Sequence, residues 1–288
     1  MKKTFIIAVS GGVDSVVLLH KLVSVKHPNI NYIVAHFDHG IRPDSNADAE
    51  FVEQIAKNSQ LAFELGEGNL GKNSSEDEAR RARYNFLFTV MQKYKADGII
   101  TAHHRDDVIE TMVVNILRGT SPRGLVGFSR AEIIRPFIDK TKADLIKYAH
   151  EHKLVWREDS TNSDPKYLRN YIRQNIIPKL SAKQTTELLK IREKLVDIYR
   201  EVDELDKKIL VQCMKKSELV RSRFVVLPVK VQMEILSTWF RLNNVAFDSK
   251  LLEKAANAIK VFKPGKVFEL TSNNKLIIGR LSINLQID

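Results

Sequence analysis

The stretch TFIIAVSGGVDSVVLLHKL, residues 4–22, decides how the rest of the chain is read. A short apolar run from Phe5 to Val9 stops at Gly11-Gly12, and SVVLLHKLVSV behind it carries apolar residues at helical spacing. The first pattern predicts a buried strand and the second a helix. Ser10-Gly11-Gly12-Val13-Asp14-Ser15 therefore lies at a strand-to-helix junction. There the glycines let backbone approach an anion closely, while first-turn amides and the helix dipole attract it. Ser10 and Ser15 add hydroxyl donors, and Asp14 can hold a magnesium ion against a pyrophosphate. Neither G-x-x-x-x-G-K-S/T nor G-x-G-x-x-G is present, so the common nucleotide loops are excluded. A secretory leader is also a poor reading of this start, because the apolar run is short and leads straight into the glycine turn.

The pattern continues outward. NYIVAHFDH and LAFEL read as strands, and SNADAEFVEQIAKNSQ between them as a helix with Ser45 or Asn46 as N-cap. Ser75 to Tyr94 reads as a helix, with Ser75-x-x-Glu78 resembling a capping box. ADGIITAHH is a fourth strand, and VIETMVVNILRG a helix stopping at Gly119. This alternation predicts an α/β domain with a doubly wound, mostly parallel, Rossmann-like sheet, its ligands at the carboxyl ends of the strands. Then come IIRPFI, a helix KADLIKYAHEHK and the polar stretch REDSTNSDPKYLRN. Leu188, Ile191, Leu195, Ile198, Val202, Leu205 and Ile209 make 181–216 one long amphipathic helix. Two helical stretches and a hairpin-like end, KVFEL and KLIIGRLSINLQI around Ser272-Asn273-Asn274, complete a small α+β domain. The expected organisation is a first domain over 1–180, a helical linker over 181–216 and a C-terminal domain over 217–288.

The 288 residues are 43% hydrophobic, with no run near the ~20 apolar residues of a membrane span. Cys213 is the single cysteine, which excludes an intramolecular disulfide and a multi-thiolate metal site and points to a cytoplasmic setting. Net charge is +11, unevenly placed. Residues 1–120 hold 14 Lys+Arg against 15 Asp+Glu, while 121–288 hold 32 against 20, so the surplus lies in the second part. A polyanion bound there would gain salt-sensitive affinity; a solvated basic surface is the alternative.

Further side chains suggest chemistry. In His103-His104-Arg105-Asp106-Asp107 a strand gives way to a helix; one aspartate is an N-cap candidate, and Glu110 shares the face of Asp107. Two carboxylates facing a phosphate loop suit Mg²⁺ binding or deprotonation of an attacking amine. Arg80 and Arg83, three residues apart on a helix, could stabilise charge developing on a leaving pyrophosphate. Arg169 and Arg173 are candidate phosphate contacts, and Trp156 and Tyr167 could stack on bases or belong to the core. His36 and His39 could line the site or close a strand.

SGGVDS resembles the signature of PP-loop enzymes, which cleave ATP to AMP and pyrophosphate. VAHFDHGIRPDS with His36, His39 and Arg42, SEDEARRARYNFL with Arg80 and Arg83, TAHHRDDVIET, LRGTSPRGLVGF and WREDSTNSDPKYLRNYIRQNIIP follow in the order of blocks seen in tRNA(Ile)-lysidine synthetases. The resemblance spans roughly residues 4–180, and 217–288 resembles that family's first accessory domain, a tRNA-binding one. It implies ATP and Mg²⁺ as cofactors and, as substrates, L-lysine and the isoleucine tRNA with a CAU anticodon. It also implies nucleotide binding by Ser10, Gly11, Gly12, Val13, Asp14, Ser15 and His36, and substrate binding by His39, Arg42, Arg169 and Arg173. Asp14, Asp107, Glu110, Arg80 and Arg83 would be catalytic, with Asp14 and Asp107 on the metal. A thiolase of the same superfamily would need more thiols than Cys213. Longer members carry a further C-terminal domain for which a chain ending at Asp288 leaves no room, which puts the acceptor-stem contact credited to it in doubt. Oligomeric state stays open, with a homodimer as one option.

Overall fold

The structure, a computed structural model, describes residues 2–25, 27–40, 45–68, 71, 74, 76–127, 132–157 and 168–287. It divides into two compact units, Met1–Glu193 and Lys194–Asp288.

In the first unit, strands β1 (Lys3–Ala8), β2 (Ile30–Asp38), β3 (Ala62–Glu67), β4 (Gly98–Ile100) and β5 (Ile133–Ile134) form a parallel sheet in the order β3-β2-β1-β4-β5. Helices α1 (Val13–Ser24), α2 (Ser45–Asn58), α3 (Glu76–Lys93), α4 (Arg105–Leu117), α5 (Pro122–Val126), α6 (Lys142–Glu151) and α7 (Leu168–Asn175) connect or follow them. Strand β1 is apolar from Phe5 to Ala8 because both faces are covered there. Ile7 and Val9 join a core with Val17, Leu18, Val52, Leu145 and Ala149 from α1, α2 and α6. Ile6 joins the opposite core with Tyr84, Leu87 and Val90 of α3. Each such fully buried Val, Leu or Ile contributes roughly 1.5–3 kcal/mol. The strand order reverses at β1, between β2 and β4, and that switch point opens the crevice in which doubly wound sheets bind ligands.

The doubly wound parallel sheet is as the sequence predicts, with local differences. Helix α2 already includes Ser45 and Asn46, so neither stands outside it as a cap. The cap role of Ser75 lies outside the described residues. Strand β4 is only three residues long, although Thr101 N–H still reaches Ile134 O at 3.0 Å. Helix α4 ends at Leu117, two residues before Gly119, whose φ of +64° reverses the chain. Helix α7 forms within and beyond the stretch read as a polar loop.

Helix α8 (Ala182–Cys213) runs unbroken, and the boundary between the units falls inside it. In the second unit, α9 (Arg221–Val225), α10 (Val229–Leu242) and α11 (Ser249–Val261) pack on an antiparallel sheet. That sheet has the order β6-β7-β10-β9-β8, from β6 (Met214–Lys215), β7 (Glu218–Val220), β8 (Lys266–Thr271), β9 (Asn274–Ile278) and β10 (Ser282–Ile287). Its core joins Phe224, Ile235, Trp239, Phe240, Ala255, Ile259, Leu276 and Ile283 with Cys213. The hairpin-like end is in fact three strands, because KLIIGRLSINLQI turns at Gly279, whose N–H donates to Ser282 O at 2.8 Å. Among the described residues no helix is long and apolar enough to cross a membrane.

Candidate active site

The loop after β1 is fixed from several sides. Gly11 has φ +89°, a conformation that strains a side chain, and a Cβ there would only just touch Phe51 and Val52 at 3.5 Å. Its carbonyl accepts from Arg157 N–H at 3.0 Å, and Arg157 is itself ion-paired to buried Asp48. Ser15 Oγ donates to Gly12 O at 2.8 Å and lies 3.2 Å from Ser10 Oγ, so the two serines brace the turn internally. His36 is buried beneath the loop, its Nδ1–H donating to Val9 O at 2.8 Å. Burial pushes its pKa below the ordinary value of 6.5, which keeps the ring neutral at pH 7. The first-turn N–H groups of α1 have no intrahelical acceptor and are left for an anion.

Two more helices begin beside this loop. At the start of α4, Asp107 accepts from His104 N–H at 2.9 Å, so His104 is the N-cap and Asp107 stands three residues inside. Asp106 reaches across to Lys142 N–H at 2.9 Å, at the start of α6, which Thr141 and Asp144 close with a capping box. Lys142 Nζ then returns to Asp14, 2.8 and 2.7 Å from its two carboxylate oxygens. The buried ring of His104 lies between carboxylates, its Nε2 3.8 Å from Asp14 and 3.5 Å from Asp107. Three helix N-termini thus meet, and Asp14 and Asp107 share one crevice.

Glu110, almost fully buried one turn deeper, is held by both expected phosphate contacts. Arg169 Nη1 lies at 3.2 Å, Arg173 Nη2 at 2.7 Å and Arg173 Nε at 3.0 Å from its carboxylate. Arg173 also faces Asp107 at 3.8 Å. Burial nevertheless raises the Glu110 pKa, outweighing the arginines that pull it down. Folded Glu110 therefore keeps its proton where an unfolded glutamate, at the ordinary 4.5, has lost it. The stability this contributes is complete below that window and is lost as pH rises through the folded value. Glu110→Gln, which cannot ionise, is expected to flatten this part of the pH–stability curve. Urea unfolding between about pH 4 and about pH 7 measures it, and an unchanged slope would contradict the assignment.

Arg80 and Arg83 sit on the other side of the β4 tip, their guanidinium carbons 5.0 and 5.5 Å from the Tyr84 ring centre. With Arg135 they surround His103, and burial together with these arginines holds its pKa well below the ordinary value. Consecutive His103 and His104 thus face different neighbourhoods, as side chains leaving a strand do. His39 packs edge-on against Phe37, ring centres 5.0 Å apart. Trp156 packs into the α1–α6 core, with His150 edge-on at 5.4 Å. Arg42 and Tyr167 lie outside the described residues.

Reading the sequence missed His104 and Lys142 as site residues. Lys142 did leave a signal, since a lysine in the first turn of a capped helix opposes the helix dipole, and a local rule broken without visible gain marks function.

Residues 1–180 match the family model for the PP-loop domain, and the chain belongs to that family. Its curated relatives include the tRNA(Ile)-lysidine synthase of Bacillus subtilis (strain 168), 34% identical over 251 residues, covering 80% of this chain and 53% of the relative. That of Thermotoga sp. (strain RQ2) is 41% identical over 182 residues, covering 60% of this chain and 44% of the relative. The chain spans about half the length of these relatives. Among solved structures, the U34-tRNA thiolase of Methanococcus maripaludis aligns with a TM-score of 0.57 at 17% identity, over 68% of this chain and 73% of that one, a likeness of fold.

Proposed function

We propose that the chain is an ATP-dependent ligase that joins free L-lysine to the wobble cytidine of the isoleucine tRNA with a CAU anticodon. The observation that carries this reading is the meeting of the Asp14 loop with Asp107 beside His104. A phosphate-binding turn and a carboxylate suited to an amine share one crevice. The names of the relatives contain tRNA(Ile) and lysidine, and the resemblance over residues 4–180 implies free lysine and the CAU wobble cytidine.

In the first step the 2-oxo oxygen of the cytidine attacks the α-phosphorus of ATP. The bond to the β-phosphate breaks and pyrophosphate leaves, while the α1 amides hold phosphate oxygens. In the second step the ε-amine of lysine, having given up its ammonium proton, attacks the adenylated carbon, and AMP leaves with the oxygen. Asp107 is positioned to take a proton from the amine, and Glu110 with Arg169 and Arg173 fixes the surrounding charges. No trio of His, Cys, Asp or Glu able to hold a metal unaided occurs among the described residues. Asp14 and Asp107 fit Mg²⁺ all the same, because that ion beside phosphates takes only one or two carboxylates and completes its shell with phosphate oxygens and water. When bound it supplies charge neutralisation on the phosphates. Residues 1–180 then serve catalysis, 181–216 link, and 217–288 grip tRNA. Sulfur transfer is disfavoured, because Cys213 is buried in the second unit's core and burial raises its thiol pKa.

The test supplies ATP, the tRNA transcript and radiolabelled lysine. Pyrophosphate release should require the tRNA, AMP release and label on the tRNA should require lysine, and the parent should do both. Asp107→Asn is expected to lower lysine transfer by about 10²-fold while the protein stays folded. ATP consumption indifferent to tRNA, or an unaffected Asp107→Asn variant, would overturn the reading.

A further inference from the structure

Lys142 starts α6 at the helix's positive end, where a cation is disfavoured. Its ammonium nonetheless occupies both oxygens of Asp14, 128 residues away in sequence. The root of the side chain is fixed independently, since its backbone N–H is held by Asp106 at 2.9 Å. The ammonium can therefore change partner without α6 moving. A static staple between α1 and α6 is a poor account of the pair. Both side chains are partly exposed, 41% for Lys142 and 28% for Asp14, and solvent screening leaves a pair so placed contributing little to stability. The helices are in any case packed through Val17, Leu18, Leu145 and Ala149.

A carboxylate with an ammonium on both oxygens cannot also serve a metal ion. We infer that Lys142 is a transferable cation: it neutralises Asp14 while the loop is empty and moves onto the polyphosphate of ATP when nucleotide enters, freeing Asp14. The inference rests on reading the loop as an ATP site and adds a phosphate-binding residue to it. In the empty crevice the lysine neutralises Asp14, adding to the positive end of α1 that already favours the carboxylate. In the filled one the same charge sits on the phosphates that leave, where it favours departure of pyrophosphate. The exchange forms and breaks no covalent bond.

The full chain, its Lys142→Gln variant and its Lys142→Arg variant are titrated calorimetrically with ATP, inorganic pyrophosphate and adenosine. Lys142→Gln should weaken ATP and pyrophosphate binding by about ten- to a hundredfold, the worth of one charge-assisted hydrogen bond, and leave adenosine binding unchanged. Lys142→Arg should recover most of the loss. Manganese ion alone, followed by its paramagnetic signal without nucleotide, should bind Lys142→Gln more tightly than the parent, because Asp14 has been released. A structural staple predicts neither the phosphate selectivity nor the gain in metal affinity. Parental ATP and pyrophosphate binding in Lys142→Gln, an equal loss for adenosine, or manganese affinity no higher than the parent's would overturn the inference alone. A parent chain that binds no ATP would overturn the proposed function, and this inference with it.

Discussion

Asp14→Asn is expected to reduce tRNA-dependent pyrophosphate release by on the order of 10³-fold, the scale of losing a principal charge-stabilising group at a reacting phosphate. The substitution keeps the shape of the side chain and removes one charge, and three consequences converge on the same step. One of two carboxylates fit for magnesium is lost. Lys142 loses the partner that holds it at 2.7 and 2.8 Å in the empty loop. His104 Nε2, now 3.8 Å from Asp14 and 3.5 Å from Asp107, is left beside a single anion. Stability should move little, because a negative charge in the first turn of a helix contributes about 0.3–1 kcal/mol. Affinity for tRNA should stay near the parent's, since backbone phosphate contacts made elsewhere do not depend on the loop. The decisive measurement is pyrophosphate release at saturating tRNA, with thermal unfolding as the control. A variant that releases pyrophosphate at the parental rate would remove Asp14 from the chemistry.

How legible all this was in the sequence depends on how each signal is written. The first sheet was plain because β1 and β2 are buried on both faces, so TFIIAV and YIVA are near-continuous apolar runs with helical periodicity between them. Burial of that kind leaves composition little freedom. The second unit's sheet was obscure for the opposite reason. Strands β6 and β7 are two and three residues long, too short to show alternation, and the turn between β9 and β10 hides in an apolar stretch where Leu281 is 78% exposed. In the site, the phosphate turn was legible because glycine at φ +89° has few substitutes. What pairs with what was not legible. Arg169 and Arg173, read as surface phosphate contacts, hold the buried Glu110, and nothing in 59 or 63 residues of separation announces an ion pair. Such contacts follow from tertiary packing of α7 on α4, which periodicity does not encode.

Of the +12 carried by residues 121–288, half belongs to 121–193 in the first unit and half to 194–288 in the second. In the second unit Lys250, Lys254, Lys260, Lys263 and Lys266 are exposed, and none makes an ion pair among the described residues. Their ammonium groups are therefore available to phosphates, whereas Arg241 of the same unit is already on Asp203 at 3.4 Å. If 217–288 grips tRNA, replacing the five lysines by glutamine should weaken tRNA binding by roughly 10²-fold at moderate salt. The log–log salt slope should also become shallower by about 0.7–0.9 for each lysine that had neutralised a phosphate. A substantial slope should remain, because the first unit keeps its own surplus. The loss should extend to tRNAs of other sequence, since backbone contacts position RNA without reading bases. ATP binding should not change, as the five positions lie outside the unit that carries the loop. Fluorescence titrations of tRNA at several salt concentrations, with parent and variant side by side, measure all of this. Equal affinity and equal slope in the two proteins would mean that these lysines only solvate the surface and that the RNA is held by the first unit alone.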